Sequence, residues 1–271
     1  MIDELQFESA LSRLKLLYTL FQERHPAIAK EAIDLAAKAV DPNTAPASVI
    51  WPVLWDKPLY ANTRTDIAGA KISAIKDFLS ETNVWREMRK DSGLFAIERI
   101  GKGTRVSSFN VIGPVAKEIV QKHRVAPHRL IAILGAAEAL TARENGASAP
   151  LSDLAAKSTE EIVITLQSEF GFGWGWITTL HFLTDLGLSC KPDIWLTRTV
   201  AYLGLYSGAD RITSLRAATA INEVTKRLTE GLKGSLTAAH LREVDKVLME
   251  IGKQQLFSLS SPDTPVRSFS C

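Results

Sequence analysis

The segment STEEIVITLQSEFGFGWGWITTLHFLTDLG, residues 158–187, decides the fold of this chain. Ser158 followed three residues later by Glu161 matches a capping box, which predicts that a helix begins there. Glycines at alternate positions then interrupt the helical pattern, and apolar residues at helical spacing resume until Gly187, a typical helix stop. The segment therefore predicts two helices joined by a glycine turn.

Apolar residues recur at helical spacing along most of the remaining chain, and long alternating runs are absent. We therefore predict an all-α fold of two helical lobes with a cleft between them. Residues 1–260 are assigned to a single unit of two lobes, and the Ser- and Pro-rich residues 261–271 to a flexible tail. The predicted helices outside the N-terminal region cover about 26–39, 107–123, 127–145, 151–169, 176–187, 193–204, 211–230 and 237–252.

The composition is typical of a globular protein and does not predict a membrane, disulfide-rich or metal-binding protein. With 271 residues and 46% hydrophobic content, the chain can bury a sizeable core. The longest apolar run, around 130–140, is about half the roughly 20 residues of a membrane-spanning helix, and no secretory pattern opens the chain. Two cysteines, Cys190 and Cys271, and five scattered histidines predict neither a disulfide framework nor a metal site. We expect a cytoplasmic monomer with no membrane partner.

The three glycines of the turn, Gly171, Gly173 and Gly175, have a possible chemical role. Alternate glycines let a loop present successive backbone N–H groups to an anion, and the following helix adds its positive N-terminal end. A DNA phosphate fits such a loop. A tight turn between helices, without any ligand, explains the same glycines. The net charge of +2 requires that any nucleic-acid contact be local.

The glycine turn and the helix predicted after it resemble a known DNA-binding motif. GWGWITTLHFLTDLG, residues 173–187, is similar to the second half of a helix-hairpin-helix motif, Gly-x-Gly-x-x-Thr-Ala followed by apolar residues and Leu-Gly. Thr178 and Thr179 occupy its Thr-Ala pair. KPDIWLTRTVAYLG, residues 191–204, then resembles a Pro-x-Asp segment with a downstream arginine. This order, over residues 165–204, resembles the helix-hairpin-helix DNA glycosylase superfamily.

The resemblance implies a base-excising enzyme that acts on double-stranded DNA without a cofactor. Such an enzyme flips a modified or damaged base out of the duplex and hydrolyses its N-glycosidic bond, leaving an abasic site. The aspartate of the segment, Asp193, is then the catalytic carboxylate. Its charge would stabilise the cation that develops on the sugar and would orient or deprotonate the attacking water. The structural alternative is that Asp193 only caps the helix that follows it.

Two departures from the family pattern narrow the expected chemistry. Members that also nick the strand carry a lysine just after the hairpin glycines, and here that position is Ile177, or Gly175 in a register shifted by two. Neither can form a Schiff base, so we predict a monofunctional glycosylase without lyase activity. Trp195 stands where many members have a histidine.

The remaining candidate site residues form two groups, one predicted to bind the DNA backbone and one predicted to line a base pocket, and each group also has a purely structural explanation. Lys191 and Arg198 could hold phosphates or could be solvated surface charges, and Lys102 and Arg105 could contact DNA from a separate loop. The aromatic candidates could equally be core residues. The predicted DNA-binding residues are Gly171, Gly173, Trp174, Gly175, Thr178, Thr179, Lys191 and Arg198. The predicted base-pocket residues are Trp51, Trp55, Tyr60, Asn62 and Trp195.

The sequence does not specify which base is excised. One branch of the superfamily, in bacterial phage defence, removes glucosylated 5-hydroxymethylcytosine, and it stands beside DNA repair as an alternative. A non-catalytic helix-hairpin-helix DNA-binding protein and an all-helical protein-interaction scaffold are the rivals from other classes. At Gly173 we expect that a bulky residue would weaken duplex binding without unfolding the protein.

Overall fold

The computed structural model describes residues 3–81, 84–88, 93–101, 108–145 and 147–259. These residues are mostly helical, which confirms the predicted α-helical class in its coarse form. Lys102, Arg105 and the predicted tail at 261–271 lie outside the described residues. The helices are α1 Glu4–Arg24, α2 Pro26–Ala36, α3 Ala47–Leu54, α4 Lys57–Tyr60, α5 Thr65–Leu79, α6 Val84–Glu87, α7 Pro114–Lys117, α8 Pro127–Glu144, α9 Thr159–Phe170, α10 Trp176–Asp185, α11 Ile194–Tyr202, α12 Leu215–Lys233 and α13 Ala238–Lys253. Short 3-10 turns cover Gly93–Phe95, Ser152–Leu154 and Leu256–Leu259, and a π turn covers Glu118–Lys122.

One antiparallel ribbon departs from the all-α prediction. Strands β1 (Ile97–Ile100) and β2 (Ser108–Val111) pair with Ile97 opposite Val111. The predicted helix at 107–123 is therefore wrong over its first residues, and α7 begins only after Gly113. Each strand is four residues long, which is too short for its alternation to stand out against a helical pattern.

The described residues divide into two compact units. The first unit combines residues 3–39 with residues 183–259. Its helices α11 and α13 pack so closely that a Cβ placed on Gly252 would lie 2.4 Å from the carbonyl oxygen of Trp195. Glycine thus allows this approach. No described helix in the protein is long and apolar enough to cross a membrane.

The second unit spans Val40–Phe182 and is organised around α8. Every residue of α8 from Leu130 to Ala137 is buried, so this helix is enclosed on all sides rather than along one stripe. Helices α3 and α9 pack against it. Trp51 of α3 is buried and its indole Nε1 donates to the carbonyl oxygen of Leu79 at 2.6 Å.

Candidate functional site

The glycine loop, residues 171–175, joins α9 to α10 in the second unit. The capping box that opens α9 is confirmed: the Ser158 hydroxyl accepts from the Glu161 amide, and the Glu161 carboxylate accepts from the Ser158 amide. Gly171 and Gly173 both adopt positive φ, at 72° and 90°. L-residues avoid this backbone region, so these two glycines are required by the turn itself.

The loop is fixed from its buried side. Trp174 is buried, and its indole Nε1 donates to the carbonyl oxygen of Ala132 at 2.8 Å. Gln167 Nε2 donates to the Trp174 carbonyl at 3.1 Å. A Cβ on Gly173 would lie 2.6 Å from the Cβ of Ala132, so the expectation that Gly173 tolerates a bulky residue is wrong. The buried side chain of Trp174 therefore anchors the loop to α8.

The other side of the loop is exposed. Gly171, Gly173 and Gly175 face solvent, and a Cβ on Gly175 would meet nothing within 4 Å. Thr179 donates its amide to the Gly175 carbonyl at 3.0 Å, which leaves the preceding amides of α10 without an intrahelical acceptor. This arrangement of amides at a positive helix end can accommodate an anion. Thr178 and Thr179 are buried and contribute packing through their side chains.

Asp193 is the N-cap of α11 in the first unit. Its Oδ1 accepts from the amides of Trp195 at 2.9 Å and Leu196 at 2.8 Å. Its Oδ2 accepts no hydrogen bond from the described residues, and the side chain is half-buried. Burial raises the pKa of Asp193, and the two amide hydrogen bonds oppose that rise. One carboxylate oxygen is thus held rigidly while the other remains available.

A second carboxyl group, Asp245 of α13, interacts electrostatically with Asp193. Burial raises the pKa of Asp245 to about 7, with the charges of Asp193 and Asp185 adding to the rise and Arg242 opposing it. The Arg242 guanidinium pairs with two of these carboxylates, with nitrogen–oxygen distances of 2.7 Å to Asp185 and 3.5 Å to Asp245. Nothing in the local sequence around Asp245 marked it, because its partners come from other elements.

The predicted phosphate ligands beside Asp193 have internal partners. Arg198 donates to Asp210 at 2.9 Å, and its guanidinium carbon lies 5.0 Å from the ring centroid of Trp195. Both Trp195 and Lys191 are half-buried. Arg198 therefore fixes the Asp210 segment against α11, and a phosphate would have to share a guanidinium that is already paired.

The predicted base-pocket residues of the second unit fall into two environments. Trp51 and Trp55 are buried in the core, so no base can stack on them while the core is intact. Asn62 is exposed with a positive φ of 50°, and Tyr60 packs edge-on against His181 at 5.2 Å between ring centroids.

Sequence reasoning missed Arg129, the residue that holds the segment 58–63, which contains Tyr60 and Asn62. Arg129 of α8 donates to the carbonyl oxygens of Pro58 and Ala61 and to Thr63 Oγ1. The three acceptors precede it by more than sixty residues, so no local pattern announces the contact.

Among the described residues, no group of three or more His, Cys, Asp or Glu side chains could hold a metal ion. Comparison of the chain with known protein families, with curated proteins and with solved structures gives no match.

Proposed function

We propose that this protein is a monofunctional DNA N-glycosylase that uses Asp193 to hydrolyse the bond between a flipped base and its deoxyribose. The observation that carries the proposal is the hydrogen bonding of the Asp193 carboxylate. Two main-chain amides fix one oxygen, and the second oxygen accepts nothing from the described residues. The resemblance of residues 165–204 to the helix-hairpin-helix glycosylases supports the same assignment.

The proposed chemistry requires a fixed anion beside the sugar. Departure of the base leaves positive charge on C1′ and the ring oxygen, and the Asp193 carboxylate stabilises that charge without having to reorganise. Its available oxygen then accepts a proton from the water that attacks C1′. The base leaves with the electron pair of the broken C1′–N bond and takes a proton from solvent, and Asp193 returns its proton to solvent. The products are the released base and an abasic site, and the strand stays intact.

The glycine loop supplies the proposed DNA contact. The amides at the start of α10, which have no intrahelical acceptor, would bind a phosphate through the main chain, a contact that carries no sequence information. This mode agrees with the small net charge of +2, because it needs few cationic side chains. Binding should therefore fall with salt on a slope that reflects a few phosphates.

A second candidate function is a non-catalytic DNA-binding protein. The two amide hydrogen bonds to Asp193 Oδ1 favour it, since they are what a helix cap alone requires. In that case the glycine loop would still bind DNA, and Asp193 would contribute only to stability.

End-labelled duplexes that each carry one modified base, together with a duplex containing glucosylated 5-hydroxymethylcytosine, separate the two candidates. We expect alkali-labile cleavage at the modified position of at least one duplex, and cleavage slower by about 10² or more with Asp193→Asn. Intact strands on every duplex that the protein binds would favour the non-catalytic candidate. Failure to bind any duplex would exclude both candidates.

A further inference from the structure

Phe172 lies in the glycine loop, and two residues of the β-ribbon lie beside its ring. Its side chain is 37% exposed, which is unusual for a phenylalanine. The guanidinium carbon of Arg99 lies 4.8 Å from its ring centroid, and the Phe109 ring centroid lies 6.1 Å away. All three residues belong to the second unit, so these contacts lie within one compact body.

The ribbon presents Arg99 and Phe109 together. These residues are directly opposite in the register of β1 and β2, so their side chains project from the same face. Glu98 and Asn110 form the next cross-strand pair and project from the other face, where Asn110 Nδ2 donates to Glu98 at 3.3 Å. The acidic side chain is therefore directed away from the face that meets Phe172.

We propose that Arg99, Phe109 and Phe172, with the exposed glycines of the loop, form one surface that binds the sugar–phosphate backbone of DNA. We call it the ribbon–loop surface. The proposal rests on the proposed function in assuming that DNA is the partner, and it extends the contact beyond the main-chain amides of the loop.

Charge and polarity on this surface match a DNA backbone. The Arg99 guanidinium and the positive end of α10 both favour an anion, and the cation–π contact orders the guanidinium before any ligand arrives. The exposed part of Phe172 offers an apolar surface of the kind that packs against a deoxyribose. Packing of the ribbon against the loop does not by itself require that any of this side chain be exposed.

The test measures the affinity of the full chain for a fluorescein-labelled duplex with one abasic-site analogue, by fluorescence anisotropy over a series of salt concentrations. Phe172→Ala should weaken binding by about tenfold, because it removes the apolar area that DNA would bury. Arg99→Ala should weaken binding and reduce the slope of log affinity against log salt by about one. Arg99→Lys keeps the charge and should retain the slope.

Two matched variants control for general effects of truncation. Ile164→Ala removes an apolar side chain of α9 that is more exposed than Phe172, at 56%, and Arg13→Ala removes an exposed arginine from α1. Both should bind as the unchanged protein does. Phe172→Leu keeps apolar bulk, so a folded protein can be measured even if the alanine variant is less stable, and it should retain part of the affinity.

The outcomes distinguish the two proposals. If the unchanged protein binds the duplex and the Phe172 and Arg99 variants bind equally well with unchanged slopes, the ribbon–loop surface is overturned and the glycosylase proposal stands. If the unchanged protein binds no duplex, both are overturned. Lower melting temperatures with unchanged affinity would show that the three side chains only pack the ribbon against the loop.

Discussion

The side-chain amide of Asn222 forms hydrogen bonds with both main-chain groups of Cys190. Asn222 Oδ1 accepts from the Cys190 amide at 2.7 Å, and Asn222 Nδ2 donates to the Cys190 carbonyl at 3.1 Å. Both residues are fully buried. Cys190 lies three residues before Asp193, so this amide pair fixes the segment that leads to the candidate catalytic carboxylate.

Asn222→Ala should destabilise the protein strongly. It leaves a buried N–H and a buried C=O of Cys190 without partners, and each such group costs about 1–3 kcal/mol. We expect the free energy of unfolding in urea to fall by about 2–4 kcal/mol. Asn110→Ala, which removes an exposed amide from β2, is the control and should change it by less than about 0.5 kcal/mol. A similarly small loss for Asn222→Ala would contradict the importance of the pair.

The glycine loop offers a contrast between two neighbouring glycines. Gly173→Ala should cost about 2 kcal/mol or more, because it combines positive φ with a Cβ that would collide with Ala132. Gly175 has neither constraint, so Gly175→Leu should leave the melting temperature nearly unchanged.

Gly175→Leu should nevertheless weaken duplex binding, because the new side chain would cover the amides at the start of α10. Thermal unfolding and fluorescence anisotropy on both variants check the two expectations. Undiminished affinity of Gly175→Leu would contradict phosphate binding by the loop.

Much of the local structure could be predicted from the sequence, because the signals that start and stop helices act within a few residues. The capping box at Ser158 and the glycine turn each gave the correct boundary to within a few residues, whereas the helix range predicted from residue 151 is wrong at its start, because α9 begins only at Thr159. The β-ribbon was missed, since its strands are short and their pairing is decided by partners across a loop.

The environment of the candidate site could not be predicted, because it depends on contacts between distant segments. The Asn222 amide meets a residue 32 positions away, and Arg129 reaches carbonyls more than sixty positions away. The tryptophans near residue 50 illustrate the same limit. An aromatic side chain in a base pocket and one in a core have the same sequence pattern, and in this structure Trp51 is buried in the core.

Asp245 should make the stability of the protein depend on pH. Its folded pKa is about 7, whereas an unfolded aspartate titrates near about 3.9. Between these values the folded state binds more protons than the unfolded state, so stability falls as pH rises from about 4 to about 7. Asp245→Asn cannot titrate and should lose this decline, which amounts to at most about 4 kcal/mol.

Urea unfolding of the unchanged protein and of Asp245→Asn at several pH values within that range measures this contribution as the difference between their slopes. Asp34→Asn, at an exposed position of α2, serves as the control and should leave the slope unchanged. Parallel pH profiles for the Asp245 variant and the unchanged protein would show that Asp245 is ionised throughout.

Base release should not be accompanied by strand cleavage. Neither Ile177 nor Gly175, the positions where nicking relatives carry lysine, can form a Schiff base with the sugar. Borohydride added during the reaction should therefore trap no covalent protein–DNA adduct on a denaturing gel. A trapped adduct that disappears in Lys191→Gln would assign the role to Lys191 and would contradict the monofunctional proposal.

Asp193→Asn and Asp193→Ala together separate a catalytic role from a capping role. Asparagine can still accept the amides of Trp195 and Leu196, and it removes a carboxylate whose ionisation burial disfavours. Its stability should thus be unchanged or higher, whereas alanine loses the cap and should cost about 1 kcal/mol. Catalytically, asparagine removes the charge opposite the developing cation, so single-turnover excision should fall by about 10² to 10³.

The signature of a catalytic carboxylate is therefore an asparagine variant that is stable, binds duplex DNA at least as well as the unchanged protein, and excises the base about 10² to 10³ times more slowly. Binding can tighten because the carboxylate no longer repels nearby phosphates. The capping role gives the opposite pattern, in which asparagine is silent in every assay and only alanine is harmful, through stability. Melting temperature, duplex affinity and excision rate measured on both variants decide between them, and a fully active Asp193→Asn enzyme would remove Asp193 from the mechanism.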